Sequence, residues 1–361
     1  MNHILRFAIS LFSLPIVFIL RPFITKNKYL FYSPLGLKGN IKYLYDYYKE
    51  KGECCEFIDI SQITLKQQIK LVFNFAKTRA VFLTHGLGRL PLACFLVPRV
   101  QLWHGFPLKN ILLNSPYDLN KFSFIGFNKV YKLLYRLRIY FSYTYLVTSD
   151  SLMGRRLANS FRYNDNKVLF FGVPSQEVAE SKIKKNKDNL LKILYLPTWR
   201  DGSDDIKDIL LKMKTAFENK FSTDNEINLI IKLHPYELKR IDVKKLESTN
   251  VKFINSDVCD MVDFYSEFDC LITDYSSACF EFAPVSKSVI FYTPDIDRYM
   301  NNRGFDEHMN MMIRKLGIRD VDDLLAALLQ LKNNDKFFAL DYTTYVGSSK
   351  GCMESIYAKF K

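Results

Sequence analysis

The sequence predicts an α/β protein with two domains, each built on a doubly wound parallel sheet. Short β-rich runs alternate with helical stretches along most of the chain, and most of these runs end in Gly, Pro, Ser or Asp. The length of 361 residues exceeds what one ordinary hydrophobic core supports. The run SQEVAESKIKKNKDN, residues 175–189, is polar, charged and free of aromatic residues, which is typical of a linker between domains.

The first element is an apolar segment, ILRFAISLFSLPIVFIL, at residues 4–20. Its uncharged part, Phe7 to Leu20, is shorter than the ~20 residues that a bilayer span needs. Pro15 and the flanking cations favour a segment lying in the inner leaflet of a membrane; these cations are Arg6, Arg21, Lys26 and Lys28. We therefore predict a membrane-associated segment at residues 1–27. A true span and a buried core helix are the alternatives.

The first predicted domain covers residues 28–175. KYLFYS is its first predicted strand, and IKYLYDYYKEKG is a helix that ends at Gly52. CCEFIDI is the next strand, and an amphipathic helix follows from Thr64 to Lys77. The later strands are AVFLTHG, RVQLWHG, TYLVTSD and KVLFFGVP.

The same alternation starts again after a predicted linker at residues 176–190. The second predicted domain, residues 191–361, contains the strands KILYLPTWRD, NLIIKLHP, VKFINS, DCLITDYSS and SVIFYTP. Two α/β domains of similar size, joined by a polar linker, predict a cleft between them.

The charge balance indicates an anionic partner. The net charge is +13, from 51 Lys and Arg against 38 Asp and Glu, which suits nucleic acid, acidic lipid or a phosphorylated substrate. Nucleic acid is the weakest of the three, because the chain has no zinc-finger, homeodomain or RNP signature. The seven cysteines include no CxxC spacing, which indicates a reducing cytoplasm and argues against structural zinc.

Basic and hydroxyl groups follow four of the predicted strands. His104 and Lys109 lie in VQLWHGFPLKN, and Arg200 lies in YLPTWRD. Lys232 and His234 occupy alternate positions of IIKLHP, which on a strand places them on one face. Each has an ordinary explanation as a loop or cap residue. Together they predict a ligand site at the carboxyl ends of the strands, where open α/β sheets bind their ligands.

The fourth strand end is TDYSSACFEF, residues 273–282, where an apolar strand stops at an acid, a tyrosine and two hydroxyls. This pattern indicates either an N-capped helix or an anion site at a helix N-terminus. The chain has no GxxxxGK[ST] or GxGxxG motif, which excludes a P-loop and a nicotinamide fingerprint. A phosphate site without an evident metal must neutralise charge with Arg, Lys, His and helix dipoles.

Five motifs together resemble those of the CDP-glycerol glycerophosphotransferase family, which works in teichoic acid and capsule assembly. They are WHGFPLKN, YLPTWRD, KLHP, ITDYSSACFEF and FYTPDIDRYMNNRGF, and they run in the family's order. GNIKYLYDYY, near residue 39, and YLVTSD with KVLFFGVP are similar to the family's amino-terminal domain. The resemblance implies a GT-B architecture, with two Rossmann-like domains facing a cleft and the nucleotide held mainly by the second.

The resemblance also implies the reaction. A hydroxyl of a lipid-linked or polymeric cell-surface glycan attacks the distal phosphorus of CDP-glycerol or CDP-ribitol. CMP leaves, and the alditol phosphate is transferred, with glycerol phosphate the first choice. The acceptor in the family hangs from a polyprenyl diphosphate. This implies a peripheral or monotopic enzyme on the cytoplasmic face of the membrane, without a metal or cofactor.

The same resemblance assigns roles to individual residues. His104 is the implied general base, and His234 is the implied ligand or acid at the pyrophosphate. The implied donor-binding residues are Ser276, Ser277, Arg303, Arg200, Lys232 and Asp274. The implied acceptor-side residues are Trp103, Gly105 and Lys109.

Three positions depart from the family pattern. Phe106 stands where the family favours Thr, Glu281 where it has Asp, and Ser175 where it commonly has Arg. Phe106 and Ser175 fall in the predicted amino-terminal domain, so the acceptor is less defined than the donor.

Two other functions are compatible with the pattern. The first is a GT-B glycosyltransferase that uses a nucleotide sugar. The second is a catalytically silent protein that binds an anionic polymer or lipid, against which the presence of both His104 and His234 argues. Release of CMP or of UDP from defined donors distinguishes the three functions.

Overall fold

The computed structural model describes residues 3–59, 64–88, 90–120, 128–182, 190–200, 205–221, 226–254, 260–285, 288–303, 307–333 and 342–361. Seven residues of the predicted linker, 183–189, lie outside the described residues. The earlier part of that linker is helical, because a helix continues to Ser181.

Strands occur at every position where the sequence predicts one. They are β1 Lys28–Tyr32, β2 Cys54–Ile58, β3 Thr78–Leu83, β4 Arg99–Gln101, β5 Tyr145–Thr148, β6 Val168–Phe170, β7 Leu191–Leu196, β8 Ile227–Ile231, β9 Val251–Phe253, β10 Cys270–Thr273, β11 Ser288–Tyr292 and β12 Gly317–Ile318. The two-residue strand β12 has no counterpart in the prediction.

Helices connect and cover the strands. They are α1 His3–Leu20, α2 Asn40–Glu50, α3 Leu65–Lys77, α4 Pro116–Leu119, α5 Asn128–Ser142, α6 Leu152–Phe161, α7 Pro174–Ser181, α8 Asp205–Phe221, α9 Pro235–Leu238, α10 Met261–Tyr265, α11 Ala278–Phe282, α12 Ile296–Arg303, α13 Glu307–Leu316, α14 Val321–Asn333, α15 Tyr342–Tyr345 and α16 Cys352–Phe360. The predicted amphipathic helix is α3, and Thr64 begins it with a capping box to Gln67.

The chain divides into two compact units. The first contains Met1–His104, Ile111–Val178 and Val346–Lys361, and the second contains Gly105–Asn110 and Ala179–Tyr345. Two short segments therefore belong to a different unit from the one that the sequence predicts. Residues 346–361 fall in the first unit rather than in a domain ending at 361, and residues 105–110 fall in the second.

The first unit has a parallel sheet in the order β2-β1-β3-β4-β5-β6. The order reverses between β1 and β3, which makes this a doubly wound sheet. Its central strands are buried, since helices cover both faces, and this explains why the strands read as continuous apolar runs.

Residues 346–361 belong to the first unit because α16 completes its core. Cys352 and Ile356 are fully buried beside the strands, and the ring of Phe360 lies 5.8 Å from that of Phe82. The Tyr357 ring packs edge-on against Tyr48 of α2, at 5.2 Å. The periodicity of α16 shows that it has an apolar face but does not indicate which sheet that face covers.

Helix α1 packs against the first unit along one side only. Ser13 and Val17 are fully buried, and the hydroxyl of Ser13 accepts a hydrogen bond of 3.0 Å from the backbone N–H of Ala93. Arg21, just after α1, donates to the carbonyl of Thr78 at 2.7 Å. The other side exposes aromatic rings, with Phe7, Phe12 and Phe18 between 62% and 69% exposed. No helix in the described part of the chain is long and apolar enough to cross a membrane.

The second unit has a parallel sheet in the order β12-β11-β10-β7-β8-β9. Numbered from β7, this is the 3-2-1-4-5-6 order of a Rossmann fold, read from the other edge. The order reverses between β7 and β10, which are hydrogen-bonded neighbours. Helices α8 and α14 pack beside this sheet through buried residues that include Phe217, Phe221 and Leu328.

Candidate active site

In the first unit, His104 lies on a sharp turn after β4. Trp103 has a φ of 55° and Gly105 a φ of 130°, and the former is rare for a bulky side chain. Two hydrogen bonds hold Trp103 in this conformation. Its N–H donates to Oε1 of Gln101 at 2.9 Å, and its carbonyl accepts from Nδ2 of Asn40 at 3.2 Å. The turn therefore presents His104 in a defined backbone position.

The hydrogen bond of His104 defines its tautomer. Its Nδ1 lies 3.0 Å from the carbonyl oxygen of Thr84, which accepts but cannot donate, so Nδ1 carries the proton. In the neutral ring, Nε2 then keeps its lone pair. Burial of the ring faces lowers the pKa of His104, and the bond to Thr84 only partly opposes this effect. The imidazole is therefore neutral at pH 7 and able to accept a proton through Nε2.

Asn40 joins two loops of this half of the site. It is buried at the start of α2, and its Nδ2 donates to the carbonyls of Leu102 and Trp103 at 3.4 and 3.2 Å. Its Oδ1 accepts from the backbone N–H of Ser175 at 3.0 Å. Ser175, where the family commonly has Arg, thus meets Asn40 through its backbone. The sequence indicated the GNIK and GVPS segments but not the contact between them.

Residues 105–110 were predicted on the acceptor side, yet the structure groups them with the second unit. Phe106 is buried, with its ring 6.4 Å from Phe280 of α11 in an edge-on geometry. Nζ of Lys109 lies 5.3 Å from the ring centroid of Tyr299 of α12. Phe106 thus serves as an apolar anchor at the position where the family favours a hydroxyl.

In the second unit, three neighbouring strands carry predicted site residues at one edge of the sheet. Asp274 to Ser277 follow β10, Trp199 and Arg200 follow β7, and Lys232 to His234 follow β8. Since these strands are parallel and adjacent, their carboxyl ends meet at the same edge, beside the reversal of strand order. Strand β8 ends at Ile231, so Lys232 and His234 lie beyond the strand rather than on its face as predicted.

Arg200 is buried in a network of carboxylates. Its Nε and Nη2 donate to the two oxygens of Asp295, at 3.0 and 3.1 Å, and its Nη1 donates to Asp274 at 2.6 Å. Burial alone would lower the pKa of Arg200, but the two carboxylates raise it above its usual value. The side chains of Arg200 and Asp274 are only 4% and 1% exposed.

Asp274 links the ends of β7 and β10. Its oxygens accept from the backbone N–H and the hydroxyl of Thr198, at 2.9 and 2.6 Å, and from the N–H of Tyr275. The hydroxyl of Tyr275 donates to Asp295 at 2.8 Å. Thr198 and Asp295 lie within two of the sequence motifs, but the sequence did not indicate that they join Asp274 in one network. One guanidinium between two carboxylates offers no surplus positive charge to a phosphate.

His234 has the opposite tautomer to His104. Its Nδ1 accepts from the backbone N–H of Tyr236 at 3.4 Å, so in the neutral ring Nε2 carries the proton and is a donor. The side chain is exposed, and its ring stacks with those of Trp199 and Tyr236 at centroid distances of 6.0 and 5.3 Å. This aromatic cluster fixes the ring plane of His234 at the end of β8.

The two serines after β10 differ in their contacts. The hydroxyl of Ser276 accepts from the N–H of Ala278 at 3.2 Å, while Ser277 precedes α11 without capping it through its side chain. Both are partly exposed, and α11 is only five residues long. Arg303 ends α12, and its side chain lies outside the described residues. In the described part of the chain, no group of three or more His, Cys, Asp or Glu side chains is arranged to hold a metal ion.

The family model and the similar sequences indicate one family. Residues 15–346 match the family model described as CDP-glycerol:poly(glycerophosphate) glycerophosphotransferase. The teichoic acid glycerol-phosphate primase of Bacillus subtilis (strain 168) is 29% identical over 240 residues, 63% of this chain and 58% of that protein. The teichoic acid poly(glycerol phosphate) polymerase of Bacillus spizizenii is 31% identical over 225 residues, 57% of this chain and 54% of that protein. The chain thus matches little more than half the length of these relatives.

A solved structure shares the fold. The structure of the wall teichoic acid polymerase TagF superposes with a TM-score of 0.66 at 18% identity, over 99% of this chain and 97% of that one. This likeness confirms an α/β fold with two parallel-sheet, Rossmann-like domains of the GT-B type.

Proposed function

We propose that this chain, which belongs to the CDP-glycerol:poly(glycerophosphate) glycerophosphotransferase family, transfers glycerol phosphate from CDP-glycerol to a hydroxyl of a cell-surface glycan acceptor. The acceptor oxygen forms a bond to the distal phosphorus, and the bond from that phosphorus to the bridging oxygen breaks. The acceptor proton passes to Nε2 of His104, and CMP leaves with the electron pair of the broken bond. CDP-ribitol is the alternative donor of the same class.

The observation that carries this proposal is the pair of opposite histidine tautomers. His104 donates through Nδ1 to Thr84, which leaves Nε2 as a proton acceptor for the attacking hydroxyl. His234 accepts at Nδ1 from Tyr236, which leaves Nε2–H as a donor to a phosphate oxygen. A base and a donor are the two groups that phosphoryl transfer to a neutral hydroxyl needs, since the attacking oxygen must lose a proton and the pyrophosphate must be neutralised.

The donor's pyrophosphate is proposed to lie at the edge of the second sheet where β10, β7 and β8 end. Ser276, Ser277 and His234 supply hydrogen-bond donors there, and Lys232 and Arg303 supply positive charge. Arg200 and Asp274 take a supporting role in this proposal, because each already satisfies the other within the buried network. That network holds the ends of β7 and β10 together and so fixes the loops that carry the ligands.

The acceptor is proposed to be lipid-linked, with the enzyme on the cytoplasmic membrane surface. Two features of the first unit support this. The outer side of α1 exposes Phe7, Phe12 and Phe18, and α5 exposes Leu133, Leu134, Leu137 and Phe141 beside Lys129, Arg136 and Arg138. A helix that exposes apolar residues beside cations suits the surface of an anionic membrane.

A cavity of about 760 Å³ lies between α5 and the ends of β3 and β4. Its lining includes Trp103, which precedes His104, and the apolar side chains of Phe95, Leu134 and Phe141. A cavity lined in part by apolar side chains, and by the residue next to His104, is consistent with an acceptor that carries a hydrocarbon chain.

The test is donor turnover by the purified chain with a lipid-linked or short glycan acceptor. Labelled CDP-glycerol, CDP-ribitol and a panel of UDP-sugars are offered separately, and release of CMP or UDP is measured with and without acceptor. We expect acceptor-dependent release of CMP from CDP-glycerol. Release of UDP, with none of CMP, would assign the chain to the glycosyltransferases instead. No release from any donor would support a binding protein.

A further inference from the structure

The imidazole of His85 lies parallel to that of His104 in the first unit. The ring centroids are 4.2 Å apart and the planes differ by 7°. Trp103 stacks on the same His104 ring, at 4.5 Å and 27°. His85 follows β3 and His104 follows β4, which are neighbours in the sheet. The proposed reaction gives His85 no part, although it touches the proposed base directly.

Gln101 holds the backbone on both sides of this ring pair. Its amide is fully buried; Nε2 donates to the carbonyl of His85 at 3.1 Å, and Oε1 accepts from the N–H of Trp103 at 2.9 Å. The hydroxyl of Tyr143 also lies 3.3 Å from the His85 carbonyl. A buried amide that uses both its donor and its acceptor has one orientation, so it fixes the separation of the two loops.

Thr84 orients both imidazoles. Its carbonyl accepts from Nδ1 of His104, and its hydroxyl lies 3.0 Å from Nδ1 of His85. Burial, and then the proximity of His104, lower the pKa of His85 to about 4. His85 is therefore neutral at pH 7, and a neutral ring can stack on His104 without charge repulsion.

We propose that His85 and Gln101 are positioning residues for the transfer reaction: His85 fixes the ring plane of His104 by stacking, and Gln101 fixes the two loops that carry the rings. The inference rests on the proposed role of His104 as base, and it identifies His85 and Gln101 as the residues that orient its Nε2. Without the stacked ring, the His104 side chain gains rotational freedom and access to water. Its lone pair is then misdirected, and the ring is protonated more readily.

The first test is the titration of His104 by NMR on protein labelled with ¹⁵N-histidine, with the His104 signals assigned from a His104→Gln variant. The ¹⁵N shifts report the tautomer and the pKa without any substrate, so this measurement stands even if the donor or acceptor assignment fails. In wild type we expect the Nδ1–H tautomer. In His85→Ala the pKa should rise toward the ordinary value of about 6.5 and the tautomers should mix. His85→Phe keeps a stacked ring and should behave as wild type.

Other titratable groups near the pair are included in the interpretation. Tyr143 contacts the His85 carbonyl, and burial raises its pKa to about 12, so it stays neutral. Asp118 and Arg138 line the cavity that Trp103 also lines. Glu281, whose pKa burial raises to about 7, lies beside Gly105, so pH profiles are recorded in a Glu281→Gln background. In that background the Glu281 carboxyl no longer contributes to the acid limb of the profile.

The second test is kinetic. We expect His85→Ala to lower kcat by roughly 10- to 100-fold, because a small misplacement of a reacting group has effects of this order, with little change in KM for CDP-glycerol. His85→Phe should restore most of the rate, and Gln101→Met should resemble His85→Ala. Leu152→Ala, on the exposed side of α6, is the matched control and should be unchanged.

Two results would overturn the proposal. One is an unchanged tautomer and pKa of His104 in His85→Ala. The other is a His85→Phe variant as slow as His85→Ala. If the alanine variant fails to fold, His85→Leu takes its place, since it keeps the apolar volume but loses the planar ring.

Discussion

Oε1 of Glu281 lies 2.6 Å from the point where a β-carbon on Gly105 would stand. The glycine therefore does two things in the WHG turn. Its φ of 130° is one that other residues adopt only with strain, and its missing side chain leaves room for a half-buried carboxyl. That carboxyl shares a hydrogen bond with Tyr265, so it cannot move aside without losing a partner.

Gly105→Ala should therefore cost more stability than backbone strain alone. Gly52→Ala is the matched control, because Gly52 has a φ of 79° and no atom lies within 4 Å of the point where its β-carbon would stand. We expect the free energy of unfolding, measured with urea, to fall by about 1 kcal/mol in the control and by roughly 2–3 kcal/mol in Gly105→Ala. Adding Glu281→Ala should recover the difference between them. Equal losses for both glycines would mean that the carboxyl does not restrict this turn.

Glu281 should also make stability depend on pH. Burial raises its pKa to about 7 in the folded chain, while in the unfolded chain the pKa is near 4.5. The folded form therefore holds a proton that the unfolded form has lost, and stability should fall as pH rises from about 4.5 to 7. Each pH unit in this range should lower the free energy of unfolding by at most about 1.4 kcal/mol. Glu281→Gln should remove this slope in melting temperatures recorded between pH 5 and 8. A slope that persists unchanged in Glu281→Gln would assign it to other groups.

The His104→Ala and His234→Ala variants should differ in their effects on turnover and on donor binding. His104→Ala should lose ~10²–10⁴-fold in kcat with little change in affinity for the donor, because it removes only the proton acceptor. His234→Ala should weaken binding of CDP-glycerol as well as turnover, since it removes a hydrogen bond to the phosphate that contributes on the order of 1.5–3 kcal/mol. Calorimetry with CDP-glycerol and a CMP-release assay separate the two. Near-normal turnover in His104→Ala would remove the general-base role.

The Arg200 network should contribute more to folding stability than to neutralising the charge of the bound donor. Arg200→Met leaves the carboxylates of Asp274, which is buried, and Asp295, which is largely buried, without their cationic partner, and breaking such a pair costs about 3–5 kcal/mol. Arg319→Ala, which removes a half-exposed arginine 3.6 Å from Asp297, should cost less than about 1 kcal/mol. Urea midpoints of the two variants test this. An Arg200→Met variant as stable as wild type but unable to bind donor would return Arg200 to the list of direct ligands.

The outer side of α1 should contribute to membrane binding without being needed for folding. Phe12→Ser and Phe18→Ser change exposed rings and leave the buried Ser13 and Val17 in place. We expect the double variant to keep its melting temperature and to float less with anionic lipid vesicles. Deleting α1 altogether should instead destabilise the first unit, because Ser13 and Val17 pack within it. Unchanged flotation of the double variant would argue against this side as the contact.

The fold could be predicted well from the sequence because its signals are local. The strand runs, the helix ending at Gly52 and the Thr64 cap depend on residues close together in the chain. The site was harder to predict because its contacts depend on the order of strands in the sheet. Arg200 is 74 residues from Asp274 and 95 from Asp295, and no spacing rule pairs them.

The histidine pair illustrates the same limit. The sequence marks His104 through the WHG motif, but its stacking on His85 follows from β3 and β4 being neighbours. Gln101 and Asn40 are ordinary polar residues in sequence, and only their burial and paired hydrogen bonds reveal that they hold the turn. The sequence indicates Asp274 at a strand end, but the partner that it contacts there is a protein side chain, Arg200.

The return of residues 346–361 to the first unit has a consequence for biosynthesis. Tyr29, Tyr48 and Phe82 share a core cluster with α16, and the hydroxyl of Tyr29 donates to the carbonyl of Phe360 at 3.1 Å. These aromatic residues emerge from the ribosome early, whereas their covering helix emerges only after the whole second unit. During translation, this face of the first sheet therefore stays exposed to solvent while about half the chain is synthesised. A nascent chain in that state offers an apolar surface to chaperones, and a stalled or truncated product would be a preferred target of proteases.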